Sequence, residues 1–156
     1  LKSLNIFGKV DYELISKDNN TKILNITIEE KPTGEISAAA GTGTSGSTFG
    51  FGIKENNFLG KNISLDSNLR FDDETIKGKF SVINPNWNFS DRSLTTSIES
   101  SVTDKMGDFG YETSLTGFSI GSGWEQYEDL YFTPKLSVFH EKLDTNQNAS
   151  NKLTLK

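Results

Sequence analysis

Few residues in this 156-residue chain have the type and spacing for covalent or metal chemistry. There is no Cys and a single His, His140, so neither a thiolate nor a His-rich metal site can be assembled. His140 falls on a strand pattern near a polar segment and reads as a solvated or hydrogen-bonded histidine rather than a base or ligand. Asp72-Asp73-Glu74 and the pair Asp104 and Asp108 offer oxygen ligands to a divalent cation. Neither has an EF-hand pattern, so solvated turns are the favoured reading. Glu99 and Asp66 are candidates to face one another as a general acid–base pair, but no pocket can be inferred around them. The Asn-x-Ser/Thr triplets at Asn62 and Asn148 follow from an Asn- and Ser-rich composition and carry no glycosylation claim. No enzyme, metal or cofactor is expected, and the function must rest on non-covalent contacts.

The elements that would make those contacts come from a lean apolar set. Hydrophobic residues are 33% of the chain, below the usual share of a globular domain, yet 11 Phe argue against disorder. Ala38-Ala39-Ala40 is the longest purely apolar run, which excludes a membrane helix. The formal charge of −5 removes the general attraction to phosphate, so no nucleic acid is expected as a partner. The chain opens on Leu1, has its one Met at Met106 and shows no basic-then-apolar leader, so an internal fragment is expected.

Residues 1–33 form a unit of their own. Ile6, Val10, Tyr12 and Leu14 mark a partly alternating strand, and a turn at Lys17-Asp18-Asn19-Asn20 leads to a second strand with Leu24, Ile26 and Ile28 on one face. Pro32-Thr33-Gly34 ends this hairpin, because proline stops a strand and glycine lets the chain turn away.

Beyond it the period is two. Between Asn62 and Phe71 the odd positions read Ile63, Leu65, Ser67, Leu69 and Phe71, while the even ones are all polar. The same alternation sets Phe49, Phe51 and Ile53 on one face, then Ile76, Phe80 and Val82, then Leu94, Ile98 and Val102. About seven strands follow, over 35–43, 47–57, 62–72, 75–84, 93–104, 112–125 and 130–143, with an eighth beginning near Lys152 and cut off by the C-terminus. The linkers are too short for parallel crossovers, so the expected fold is all-β, an antiparallel up-and-down meander.

Such a meander must set its apolar face against something, and alternation alone leaves a soluble sandwich and a membrane barrel both open. The turns favour the barrel. Alternate turns share a rim, and one rim gathers Phe58, Trp87, Phe89, Trp124, Tyr127 and Tyr131, as an interfacial aromatic girdle would. The other rim is wetter and more acidic, with Gly43-Thr44-Ser45-Gly46, Asp72-Asp73-Glu74 and the segment from Asp104 to Glu112. On this reading the thirteen apolar residues Phe49, Phe51, Ile53, Ile63, Leu65, Leu69, Phe71, Ile76, Phe80, Val82, Leu94, Ile98 and Val102 face lipid and their neighbours line a lumen. A bilayer tolerates no open sheet edge, so seven strands would be part of a larger barrel.

Glu30-Lys31-Pro32-Thr33-Gly34, Gly50-Phe51-Gly52, Glu55-Asn56-Asn57-Phe58-Leu59-Gly60 and Asn84-Pro85-Asn86-Trp87, in that order with a strand between each pair, carry a resemblance. The chain resembles the BamA-like outer-membrane assembly factors of the bacterial surface antigen family over nearly its whole length. The resemblance implies that 1–33 are the C-terminal strands of a POTRA domain on the periplasmic side, and 34–156 the N-terminal part of a bacterial outer-membrane β-barrel. It implies a protein that folds and inserts other outer-membrane proteins, with the lipid bilayer, unfolded clients and assembly-complex lipoproteins as partners. The first barrel strand, Ile36, Ser37, Ala38, Ala39, Ala40, Gly41, Thr42 and Gly43, would be the edge of a lateral gate that pairs with a client strand.

Those residues are small and of poor β-propensity, which suits a weak seam. They equally suit a strand that makes room for a lumen loop or a tight bend. Thr42 stands where the family often has an aromatic residue. A passive outer-membrane pore or a two-partner secretion translocator of the same superfamily is the alternative, and the N-terminal hairpin separates an assembly factor from an ordinary porin.

Overall fold

The computed structural model of the chain describes residues 6–18, 21–43, 46–146 and 148–156. Among them the structure is all-β. The strands are β1 (Phe7–Asp18), β2 (Thr21–Glu30), β3 (Gly34–Gly43), β4 (Gly46–Phe58), β5 (Ile63–Asp72), β6 (Thr75–Asn84), β7 (Ser93–Lys105), β8 (Tyr111–Tyr127), β9 (Leu130–Phe132), β10 (Lys135–Thr145) and β11 (Ala149–Leu155), with one helical turn, α1 (Met106–Phe109), between β7 and β8.

β1 and β2 pair antiparallel as a separate ribbon. Its register sets Val10 opposite Ile28, Tyr12 opposite Ile26 and Leu14 opposite Leu24, so these three pairs share one apolar face, as expected. The tip of the expected turn, Asn19 and Asn20, lies outside the described residues, as do Thr44 and Ser45 between β3 and β4.

The main sheet has nine strands in the order β11-β10-β8-β7-β6-β5-β4-β3, with β9 branching from β8, and all its pairings are antiparallel. The meander read from period two is therefore the fold. The last strand exists as β11, paired to β10 over Val138–Asp144. One boundary needs correction. The strand expected over 130–143 is two, β9 and β10, parted at Thr133-Pro134. Pro134 has no N–H to give a ladder, while its carbonyl accepts the Ser122 N–H at 3.0 Å. The branch β9 pairs instead with the overhanging end of the long β8, Trp124 opposite Phe132.

Burial is inverted relative to a water-soluble domain. Among the described residues Ile6, in the N-terminal unit, is the one buried hydrophobic residue, whereas Phe49, Phe51, Ile53, Ile76 and Ile98 are each about half exposed or more. The buried side chains of the main sheet are serines, Ser97, Ser119 and Ser137. They continue the row Ser81, Ser97, Ser119, Ser137 across four neighbouring strands, and the hydroxyls of Ser97 and Ser119 lie 2.6 Å apart. The main sheet thus buries small polar side chains on one face and exposes Phe49, Phe51, Phe80 and Phe118 on the other, the reverse of a water-soluble core.

The apolar band also crosses the hydrogen-bond rows obliquely. From β3 to β7 its limit on the side away from the hairpin is the row Ala40, Phe49, Phe71, Ile76, Val102. That row continues into Ser114 and Lys142, where the apolar limit has moved to Phe118 and Val138. The displacement, Ser114 to Phe118, is about 13 Å along the strand.

Candidate functional site

β3 is the terminal strand of the sheet, paired with β4 on one side and with no strand on the other among the described residues. Every residue from Gly34 to Gly43 is exposed. The eight residues Ile36, Ser37, Ala38, Ala39, Ala40, Gly41, Thr42 and Gly43 thus form one edge. Alternate backbone N–H and C=O groups of an antiparallel strand point away from its partner, so those of β3 have no ladder partner among the described residues, as is also true of β11 at the other end of the sheet. The partner strand is equally bare where it meets them. Gly50 lies opposite Ala39, and Gly52 opposite Ser37. A Cβ on Gly52 would stand 2.5 Å from the Ser37 hydroxyl and 2.9 Å from the Asn68 amide oxygen, so a larger residue there would have to displace both side chains.

A hydrogen-bonded joint fixes where β3 begins. The Glu55 carboxylate accepts the Thr33 hydroxyl and, at 2.7 Å, the Asn57 N–H. Asn56 donates to the Thr33 carbonyl through both its backbone N–H, at 3.2 Å, and its side-chain amide, at 3.1 Å. The linker from the hairpin is in this way tied to the end of β4, at the turn into β5. That turn is strained, since Leu59 has φ 58° and Asn62 φ 56°. A left-handed backbone suits Asn or Gly far better than Leu, yet Leu59 stands there 72% exposed beside Phe58.

All thirteen residues expected to face lipid share one face of the sheet by register. Phe51 pairs with Leu69, Phe49 with Phe71 and Phe71 with Ile76; Leu65 pairs with Val82, Phe80 with Ile98, and Ile76 with Val102. Ile53 falls in line with Ile36, Ile63 with Phe58 and Leu94 with Asn84. The sequence reading missed Phe118, Ile120, Leu136 and Val138, which extend the same face across β8 and β10. Their alternation was the available signal, but Tyr111 and Leu115 on β8 have the opposite parity and blur it.

The six aromatic residues expected at one rim are at that rim. Phe58 ends β4, Trp87 and Phe89 lie in a 3-10 turn between β6 and β7, and Trp124, Tyr127 and Tyr131 lie on the β8–β9 overhang. Trp124 stacks on Phe132 with ring centroids 6.0 Å apart, and the Arg92 guanidinium lies 5.1 Å over the Trp124 ring, which joins two turns of the rim. Tyr131 pairs with Glu125 and so points to the face opposite Trp124.

The opposite rim holds the acidic turns. Glu74 pairs with Lys105 at 2.8 Å, and Asp104 accepts the Met106 N–H at 2.9 Å. No group of three potential ligands gathers for a metal among the described residues. His140 is exposed on the outward face between Thr116 and Leu153. Glu99 and Asp66 both lie on the polar face but do not meet, because β6 stands between their strands. Glu99 is opposite Lys79, and Asp66 opposite Lys54.

The polar face encloses a trough of about 910 Å3 running along the inner side of β3 to β7. Its floor carries Asn68, Arg70, Lys77, Lys79 and Glu99, residues that sequence reading had assigned only collectively to a lumen.

No protein-family model matches the chain, and no curated protein matches it. Among solved structures the chain is similar to the crystal structure of BamA from Haemophilus ducreyi lacking POTRA domains 1–3, with a TM-score of 0.78 and 20% sequence identity, covering 99% of this chain. The chain spans about a third of that crystallised chain, 34% of its length. A likeness at this identity establishes the fold, a BamA-like antiparallel meander with its preceding hairpin.

Proposed function

We propose that the chain is part of a bacterial outer-membrane β-barrel that folds and inserts other outer-membrane proteins, with β3 as the edge that pairs with a client strand. Residues 1–33 are the last strands of a POTRA domain on the periplasmic side, and 34–156 are the first strands of the barrel. The observation that carries this reading is a hairpin followed directly by the first strand of a sheet whose large apolar side chains lie exposed on one face. An ordinary pore has no need of the first, and a soluble domain could not bear the second.

The aromatic rim and the strained Leu59 support the same placement. Exposed apolar side chains at a turn are favourable where the turn meets the interface of a bilayer. The partners are outer-membrane lipid, unfolded β-barrel clients and lipoproteins of an assembly complex, and no covalent step or cofactor is involved. Affinity for a client strand comes from main-chain hydrogen bonds and so tolerates many client sequences.

Proline at Ala38, Ala39 and Ala40 in turn tests the edge, because proline removes a donor where a strand must pair. In the full-length protein at least one of the three variants is expected to keep heat-modifiable gel mobility, the mark of an intact barrel, yet lose client insertion into liposomes. Three intact barrels that insert clients at the parent rate would leave the passive pore or translocator as the better reading.

A further inference from the structure

One corner of the aromatic rim changes character in steps along β8. On the outward face Ile120 lies opposite Leu136, an aliphatic row. Four residues further along β8 comes Trp124, stacked on Phe132, with the Arg92 guanidinium 5.1 Å over the indole ring. Beyond them, at the tip of the β8–β9 overhang, come Glu128 and Asp129.

Arg92 differs from the lysines near this rim. Lys54 is opposite Asp66 and Lys135 opposite Gly121, and register puts both on the polar face. Arg92 instead lies over Trp124, which has the parity of Phe118 and Ile120 and so belongs to the apolar face. Stacking occupies the flat side of the guanidinium and leaves the N–H groups along its edge. Among the described residues those groups have neither ion pair nor hydrogen bond. The indole is fixed as well, since its Nε1–H donates to the Gln126 side chain at 3.0 Å.

We propose that this corner binds one zwitterionic phospholipid with an ammonium headgroup. Its phosphate sits on Arg92, its ammonium beside Glu128 and Asp129, and an acyl chain runs along Ile120 and Leu136. The order of groups argues for this occupant. Such a lipid presents apolar chain, phosphate and ammonium from the membrane outwards, and the corner presents aliphatic side chains, guanidinium and carboxylates in the same sense. The guanidinium fork matches two phosphate oxygens, and an indole at headgroup depth suits its mixed character. An anionic headgroup would satisfy Arg92 but meet like charge at Glu128 and Asp129. A soluble phosphate would leave Ile120, 40% exposed, and Leu136, 52% exposed, uncovered. The proposal rests on the reading that this face of the sheet meets lipid.

The test uses full-length protein in detergent micelles and native mass spectrometry of the lipids it retains. Phosphatidylethanolamine is expected to bind more tightly than phosphatidylglycerol, and both more tightly than diacylglycerol, which has no phosphate. Arg92→Gln should weaken both phospholipids about tenfold, the value of one charge-assisted hydrogen bond. The pair Glu128→Gln and Asp129→Asn should remove the preference between the two phospholipids, and the rim control Lys61→Gln should leave it unchanged. Parent affinity in Arg92→Gln, or equal affinity of the parent for the two phospholipids, would overturn the proposal. Displacement by an equal concentration of glycerophosphoethanolamine, the same headgroup without chains, would assign the corner to a soluble ligand and overturn it too. Heat-modifiable mobility of the parent separates the two readings. Its absence removes the barrel and the lipid site with it, whereas an intact barrel without the phospholipid preference removes the site alone.

Discussion

Phe139 of β10 occupies the space a side chain at Gly117 of β8 would need: a Cβ on Gly117 would stand 2.5 Å from the Phe139 ring. The two are direct register partners on the polar face, and the Lys156 ammonium lies 5.8 Å from the Phe139 ring centroid. An aromatic side chain lying over a cross-strand glycine pins register, since a slip by one residue would carry the ring to the other face. Gly117→Ala is expected to destabilise the barrel by about 1–3 kcal/mol through overpacking. Phe139→Ala in the same chain should restore part of that loss, a non-additivity that a double-mutant cycle on denaturant midpoints would detect.

The second prediction concerns the two faces. Leu69 lies between Phe51 and Gly78 on the apolar face, and its neighbour Asn68 lies between Gly52 and Lys79 on the polar one. In a lipid bilayer Leu69→Arg is expected to cost about 2–4 kcal/mol and Asn68→Arg much less. Equal penalties in an outer-membrane refolding titration would remove the membrane assignment.

A third prediction follows from the ribbon. Leu24 is 53% exposed, Tyr12 74% and Leu14 60%, a continuous apolar face that the described residues leave uncovered. If it belongs to a POTRA domain, Leu24→Asp should unfold that domain while heat-modifiable barrel mobility is unchanged. Limited proteolysis of the full-length protein would show faster cleavage before Pro32. Unchanged cleavage would separate this ribbon from any such domain.

The joint at Glu55 gives the fourth. Glu55→Ala removes the acceptor of both the Thr33 hydroxyl and the Asn57 N–H and should loosen the joint locally. Spin labels at Lys22 and Lys61 should then report a broader distance distribution between hairpin and sheet than in the parent. A distribution as narrow as the parent's would show that other contacts set the angle.

How much of this was legible depended on what each face must meet. β4 to β7 were readable because one side of each strand is greasy and the other wet, so Phe49, Phe51 and Ile53 announced both the strand and its outward face. β8 was harder, since Tyr111 and Leu115 fall on the polar face while Phe118 and Ile120 fall on the other. The break before β10 had a signal in Pro134, but Leu130, Tyr131 and Phe132 before it and Leu136 and Val138 after it masked the proline. The joint of Thr33, Glu55 and Asn56 and the opposition of Arg70 to Lys77 were invisible, because both depend on register between strands, which pattern along one strand does not carry.

The order of the main sheet follows the order of the chain, apart from the β9 branch. Its contacts are consequently local in sequence, and closing each short loop costs little entropy compared with joining distant segments. A sheet of this kind can lengthen as a zipper does, each strand templating the one made after it. The zipper reads hydrogen bonds and alternation and has no means of asking whether the arriving strand comes from its own chain. Chain order, supplied by turns a few residues long, is what keeps the growth its own.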